Sequence, residues 1–110
     1  MSKYSLYLND VLRAINDITE TTKNKNFNSF AKDKNLVDAT AMRFQVIGES
    51  IKKLPKRLKE NGRGINWTYL ESLRNIISHA YFKIGPELLW DIVKKEVPKL
   101  KESILKMKKF

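Results

Sequence analysis

At 110 residues, with 42% apolar side chains, the chain is the length of one domain (1–110) that buries a real core. It has no cysteine and a single histidine, which excludes disulfides, thiolate chemistry and a multi-histidine metal site within one chain. A net charge of +10 points to an anionic partner, either nucleic acid or an acidic protein, against the bland alternative of a lysine-rich solvated surface. The charge is uneven. Lys52 to Arg63 carries six positive side chains and one negative, and the last twelve residues carry five and one. A basic helical face also suits a membrane surface, but the apolar positions in these stretches are needed for a core. No apolar run approaches the roughly 20 residues that span a bilayer. The N-terminus lacks a signal-peptide h-region, so a cytoplasmic protein without a membrane partner is expected.

The first helix is read from Tyr4, Leu8, Val11, Ile15 and Ile18, spaced by three and four, with Leu12 widening the stripe. Thr21, Thr22 and "KNKNFN" end it, and one short turn is expected around Phe30. A second helix starts between Asp33 and Leu36 and runs to Leu54, where Pro55 stops it. Gly48 lies inside it, which suggests either close approach by another helix or a glycine that is simply tolerated. "PKRLKENG" predicts a short helix closed by Asn61–Gly62, followed by the loop "GRGIN". Asn66 is a good N-cap for a long third helix from Trp67 to about Phe82. Gly85–Pro86 restarts the chain into "PELLWDIVKKEV", with Leu88, Leu89, Ile92 and Val93 as its apolar face and Trp90 beside it. Pro98 interrupts this segment, and "PKLKESILKMKKF" forms a last helix. No strand pattern or internal repeat is present. The expected architecture is an all-α, up-and-down bundle of four or five helices.

On a helical wheel, Leu70, Leu73, Ile77 and Ala80 of the third helix share the core stripe, flanked by Tyr69 and Ile76. Arg74, Ser78 and Tyr81 form a neighbouring stripe, and Asn75, His79 and Phe82 a second one farther from the core. Arg74 and His79 are separated by about 140° around the axis, so they flank a groove rather than touch. A lone histidine on a polar helical face is most often simply solvated. The chemistry favours more. RNA cleavage without a metal needs a group that exchanges protons near neutral pH and a fixed cation for the charge that develops on phosphate. One histidine does not easily serve as both acid and base, and a symmetric dimer supplies two sets in one cleft. Phe82, apolar and outward-facing, is also better placed beneath a second subunit.

These residues carry a family resemblance. Arg74, Asn75, His79 and Tyr81 match an Arg–polar–three residues–His–any–Tyr signature. With Trp67, Leu89–Trp90, Val97–Pro98–Lys99–Leu100 and the earlier "VIGES" (Val46 to Ser50), the chain resembles the HEPN superfamily, and within it the HepT-like toxin ribonucleases. The resemblance covers about two thirds of the chain. It implies an all-α homodimer acting as a metal-independent endoribonuclease, with no cofactor, on an RNA substrate at a cleft between protomers. His79 would move protons, Arg74 would stabilise charge, Asn75 would orient the pair, and Ser78 would support them. It also implies a toxin–antitoxin pair with a minimal nucleotidyltransferase of the MntA type, which transfers AMP to the motif tyrosine, here Tyr81. The competing reading is a non-catalytic substrate-binding subunit of a nucleotidyltransferase complex. A generic DNA-binding helical protein is weaker, because no helix-turn-helix spacing is evident.

Overall fold

The apolar stripes become buried faces in the folded chain. A computed structural model describes residues 3–60, 62 and 64–108. In chain order it comprises α1 (Ser5–Thr22), α2 (Phe27–Lys32), α3 (Lys34–Lys52), α4 (Lys56–Lys59), α5 (Trp67–Ala80), a 3₁₀ turn (Tyr81–Lys83), α6 (Pro86–Lys95) and α7 (Val97–Met107). The fold is all-α, with five helices of ten residues or more and two short ones. No strand occurs among the described residues.

The helix ends follow local chemistry. Asn26 opens α2 with a reciprocal capping box to Ser29, and Asp33 caps α3 through the Leu36 amide. Asn66 caps α5 by accepting from the Tyr69 amide, as its side chain predicts. Pro86 occupies the first turn of α6, where a missing N–H costs nothing. Pro98 lies inside the first turn of α7, so the break falls at Glu96 rather than at the proline. The short turn expected around Phe30 is α2. For the helix expected over "PKRLKENG", the residues from Lys56 to Lys59 are helical and the Gly62 amide reaches back to the Lys59 carbonyl at 2.9 Å. Asn61, and Arg63 of the "GRGIN" loop, lie outside the described residues.

The core is built from all five long helices. Val11, Ile15 and Ile18 of α1 meet Phe44, Ile47 and Ile51 of α3, Leu70, Leu73 and Ile77 of α5, and Ile92, Leu100 and Ile104 of the last two helices. Each such side chain contributes about 1.5–3 kcal/mol of hydrophobic transfer free energy. Phe30 is fully buried and packs on Trp90 with ring centroids 5.0 Å apart, which anchors α2 to α6. Leu88 departs from expectation. It is 37% exposed, and α6 buries only Leu89, Ile92 and Val93, because the four apolar positions span too wide an arc for one contact face.

α3 is the central element, packing against both α1 and α5. Pairing of Glu49 with Arg74 and of Gln45 with Ser78 sets α3 antiparallel to α5. Lys53 lies over Tyr7 and Arg43 reaches Thr21, which sets α3 antiparallel to α1. Gly48 marks the tightest part of this packing. A Cβ there would lie 3.0 Å from the Leu70 carbonyl oxygen and 3.2 Å from the Arg74 amide nitrogen. The expectation that Gly48 admits a neighbouring helix is borne out. The neighbour is α5, at the turn that carries Arg74.

Candidate active site

The absence of a side chain at Gly48 brings the backbone of Arg74 onto α3, and the neighbouring turns of α3 then supply polar partners. Glu49 Oε2 lies 3.4 Å from Arg74 Nε. Arg74 Nη1 donates to Asn75 Oδ1 at 3.2 Å. The guanidinium is thus gripped at two of its three nitrogens, while its side chain stays half exposed. Such a pair contributes under about 1 kcal/mol to stability. Its consequence is geometric: it fixes the guanidinium at Nε and Nη1 and leaves the other N–H groups of Arg74 without a partner among the described residues.

One turn later, Ser78 Oγ donates to Gln45 Oε1 at 3.0 Å. Gln45 and Glu49 are four residues apart on α3 and face Ser78 and Arg74, four residues apart on α5. The two ladders form one polar seam. Asn75 and His79 are exposed on the adjoining stripe, as the wheel predicts. His79 makes no hydrogen bond or ion pair among the described residues, so the structure joins Arg74 to Asn75 and Glu49, ties Ser78 separately to Gln45, and leaves His79 beside them.

The helix end at Tyr81 requires a correction. On a continuous helix Tyr81 would extend the Arg74–Ser78 stripe, about 20° around the axis from Leu70 on the core face. Instead α5 ends at Ala80, whose backbone (φ −134°, ψ 22°) leaves the helical region, and Tyr81 opens the 3₁₀ turn. Its ring is half buried and packs against the edge of the core cluster. Its hydroxyl has no hydrogen-bond partner among the described residues. Phe82 is 94% exposed and meets Tyr81 edge to face at 5.3 Å. Phe82 lies on the surface as expected, whereas Tyr81 does not point away from the core, since on the wheel it falls beside Leu70; the helix end at Ala80 is missed because neither residue breaks a helix by its own propensity.

The sequence reading also missed partners. Glu49 enters it only within the "VIGES" resemblance, and Gln45 does not enter it as a site residue. Their available signal was the i, i+4 polar pair Gln45/Glu49 straddling Gly48. Among the described residues, no grouping of three or more His, Cys, Asp or Glu could hold a metal ion, and no helix is long and apolar enough to cross a membrane.

The chain is thus an all-α, strongly basic protein with a buttressed arginine and an exposed histidine on one helix. The family described as "Ribonuclease HepT-like" matches residues 11–107, and the chain belongs to that family. It is 36% identical over 98 residues to a Methanocaldococcus jannaschii protein named "Putative RNase", covering 89% of this chain and 90% of the relative. It is 34% identical over 103 residues to "Probable ribonuclease HepT" of Thermococcus cleftensis, covering 94% of each. A longer M. jannaschii relative, named as a gamma-glutamylcyclotransferase and "putative RNase", is 42% identical over 102 residues. That match covers 93% of this chain but only 46% of the relative, so the chain spans about half the length of that protein. No solved structure matches the chain.

Proposed function

We propose that the chain is an endoribonuclease of the HepT-like type that cleaves RNA without a metal ion at a site shared by two protomers. The observation that carries this reading is Arg74, held by Glu49 and Asn75 with donors still free, on the same helix as an exposed His79. The names of its relatives, which include ribonucleases over nearly their whole length, support it. In the proposed reaction the ribose 2′-oxygen attacks the adjacent phosphorus and gives its proton to one His79. The bond from phosphorus to the 5′-oxygen breaks, and the leaving oxygen takes a proton from the His79 of the second protomer. The products are a 2′,3′-cyclic phosphate and a 5′-hydroxyl. Arg74 donates to the phosphate oxygens as their charge rises. Asn75 fixes the guanidinium plane, and Ser78 ties this turn to α3.

Phe82 supports the shared site. An aromatic side chain 94% exposed beside the motif is better accommodated under a second copy. Control by AMP transfer is the second part of the reading. The Tyr81 hydroxyl would attack the α-phosphorus of ATP, release pyrophosphate and lose its proton, catalysed by a nucleotidyltransferase antitoxin. The added phosphate and adenosine would stand at the end of α5, next to the exposed His79 stripe, and obstruct RNA.

The test is cleavage of RNA by purified protein in excess chelator, with analysis of the product ends. Cyclic phosphate ends, undiminished activity in EDTA and loss of cleavage in His79→Ala are expected. Activity that needs added magnesium would overturn the mechanism. RNA binding with no cleavage by the wild type would favour the binding-subunit reading.

A further inference from the structure

Beside Arg74 lies an open cavity of about 390 Å³ that draws on α1 as well as α3, with Tyr7, Asp10, Gln45, Glu49 and Lys53 among its walls. Its makeup is not that of a bare phosphate clamp, which gains nothing from carboxylates. Glu49 is engaged, lying near Arg74 on one oxygen and 3.9 Å from Lys53 on the other. Asp10 makes no hydrogen bond or ion pair among the described residues. Gln45 accepts from Ser78 through its oxygen, which leaves its amide N–H groups free to donate. Tyr7 is half buried and contributes an aromatic face, with the Lys53 ammonium 5.3 Å from its ring centroid.

We propose that this cavity is a nucleobase subsite, in which a base next to the scissile phosphate stacks on Tyr7 while Asp10 and Gln45 read its edge, with guanine as the preferred base. The proposal deepens the ribonuclease reading and rests on it, since Arg74 supplies the phosphate contact there. Stacking on an aromatic ring accepts any base. The edge contacts discriminate. A carboxylate presents two acceptor oxygens side by side, and guanine presents two adjacent donors, N1–H and the 2-amino group, with O6 next to them for the Gln45 amide. Adenine, cytosine and uracil each set one donor beside an acceptor, so each forms a single hydrogen bond to the carboxylate and faces it with a lone pair. The cavity size lies within the range of small-ligand sites.

The experiment measures binding of fluorescent single-stranded RNAs of one length, all uridine except for one G, A or C, and 2′-O-methylated to block cleavage. Anisotropy at fixed salt compares wild type, Asp10→Asn, Tyr7→Phe and Tyr7→Ala. Wild type should favour the guanine RNA by about tenfold, and Asp10→Asn should shrink that preference to about twofold or less. Tyr7→Ala should weaken every RNA by about tenfold, and Tyr7→Phe should bind as wild type. Equal binding of all RNAs by wild type, or an unchanged preference in Asp10→Asn, overturns the subsite. Should Tyr7→Ala fail to fold, Asp10→Asn, an exposed change, still decides. Cleavage of unmodified RNA by wild type is scored in parallel. Guanine-selective binding without cleavage refutes the ribonuclease reading and leaves the subsite standing. Cleavage without base preference does the reverse.

Discussion

The two ends of α5 are held in opposite ways. At the N-terminal end, Lys59 donates to Glu71 at 3.0 Å and to the Ile51 carbonyl at 3.3 Å, while Trp67 Nε1 donates to the Lys59 carbonyl at 2.9 Å. The Lys59 and Glu71 side chains are only 14% and 24% exposed. One lysine therefore ties α3, α4 and α5 together. At the C-terminal end, beyond the Gln45–Ser78 bond, His79 is exposed, the helix lapses into a 3₁₀ turn and Phe82 lies in solvent. Arg74 sits between the two regimes, and its position depends on the fastened end. Under the proposed mechanism, the first half of the helix supplies stability and the second half proton transfer.

The strongest way to break the contrast is at its midpoint. Arg74→Lys should lower cleavage by about 100-fold, since a point charge replaces a planar fork that Glu49 and Asn75 hold in place. Its melting temperature should stay close to wild type, because the ion pair is half exposed. Kinetics paired with thermal unfolding check both halves of the statement. A large loss of stability would move Arg74 into the structural half.

Glu71→Ala should do the opposite. Removing one partner of a mostly buried pair costs about 1–3 kcal/mol, or a fall of roughly 4–13 °C in Tm. Cleavage per folded molecule at low temperature should fall little, as measured by kinetics well below the transition. Gly48→Ala tests the seam itself. The methyl meets backbone at 3.0 Å, an overpacking cost of about 1–3 kcal/mol against about 1 kcal/mol gained in helix propensity. A net loss of about 1 kcal/mol is expected by denaturant unfolding, with reduced cleavage because Arg74 is displaced from Glu49. The smallest effect on stability belongs to Phe82→Ser, within about 0.5 kcal/mol for the isolated protomer. Light scattering should show it shifted toward monomer, and an unchanged oligomeric state would remove Phe82 from the shared site.

The sequence made this helix legible unevenly. The Asn66 cap, the Leu70–Leu73–Ile77 face and the restart at Pro86 are local, carried by propensity and periodicity, and they match the fold. The polar partners of Arg74 and Ser78 depend on the register of α3 against α5, which no local pattern encodes, although Gly48 marked where the two approach. Tyr7 and Asp10 depend on a second register, between α1 and α3. The end of α5 was misplaced because Tyr81, Phe82 and Lys83 are acceptable helix residues. Tyr81 packs on the core at that turn, a tertiary contact that no local pattern encodes.

The bolt at Lys59 has a consequence for motion. Opening the first turns of α5 requires Glu71, Ile51 and Trp67 to release Lys59 together, so those amides should exchange with solvent only through large-scale unfolding. The last turn, held by the packing of Ile77 and Tyr81 on the core rather than by a polar tether past Ser78, can fray more readily. Hydrogen exchange read residue by residue along α5 should therefore fall from protected to fast within its fourteen residues. The histidine would ride on the part of the helix that opens most often, beyond an arginine that stands at the boundary with the part that opens least.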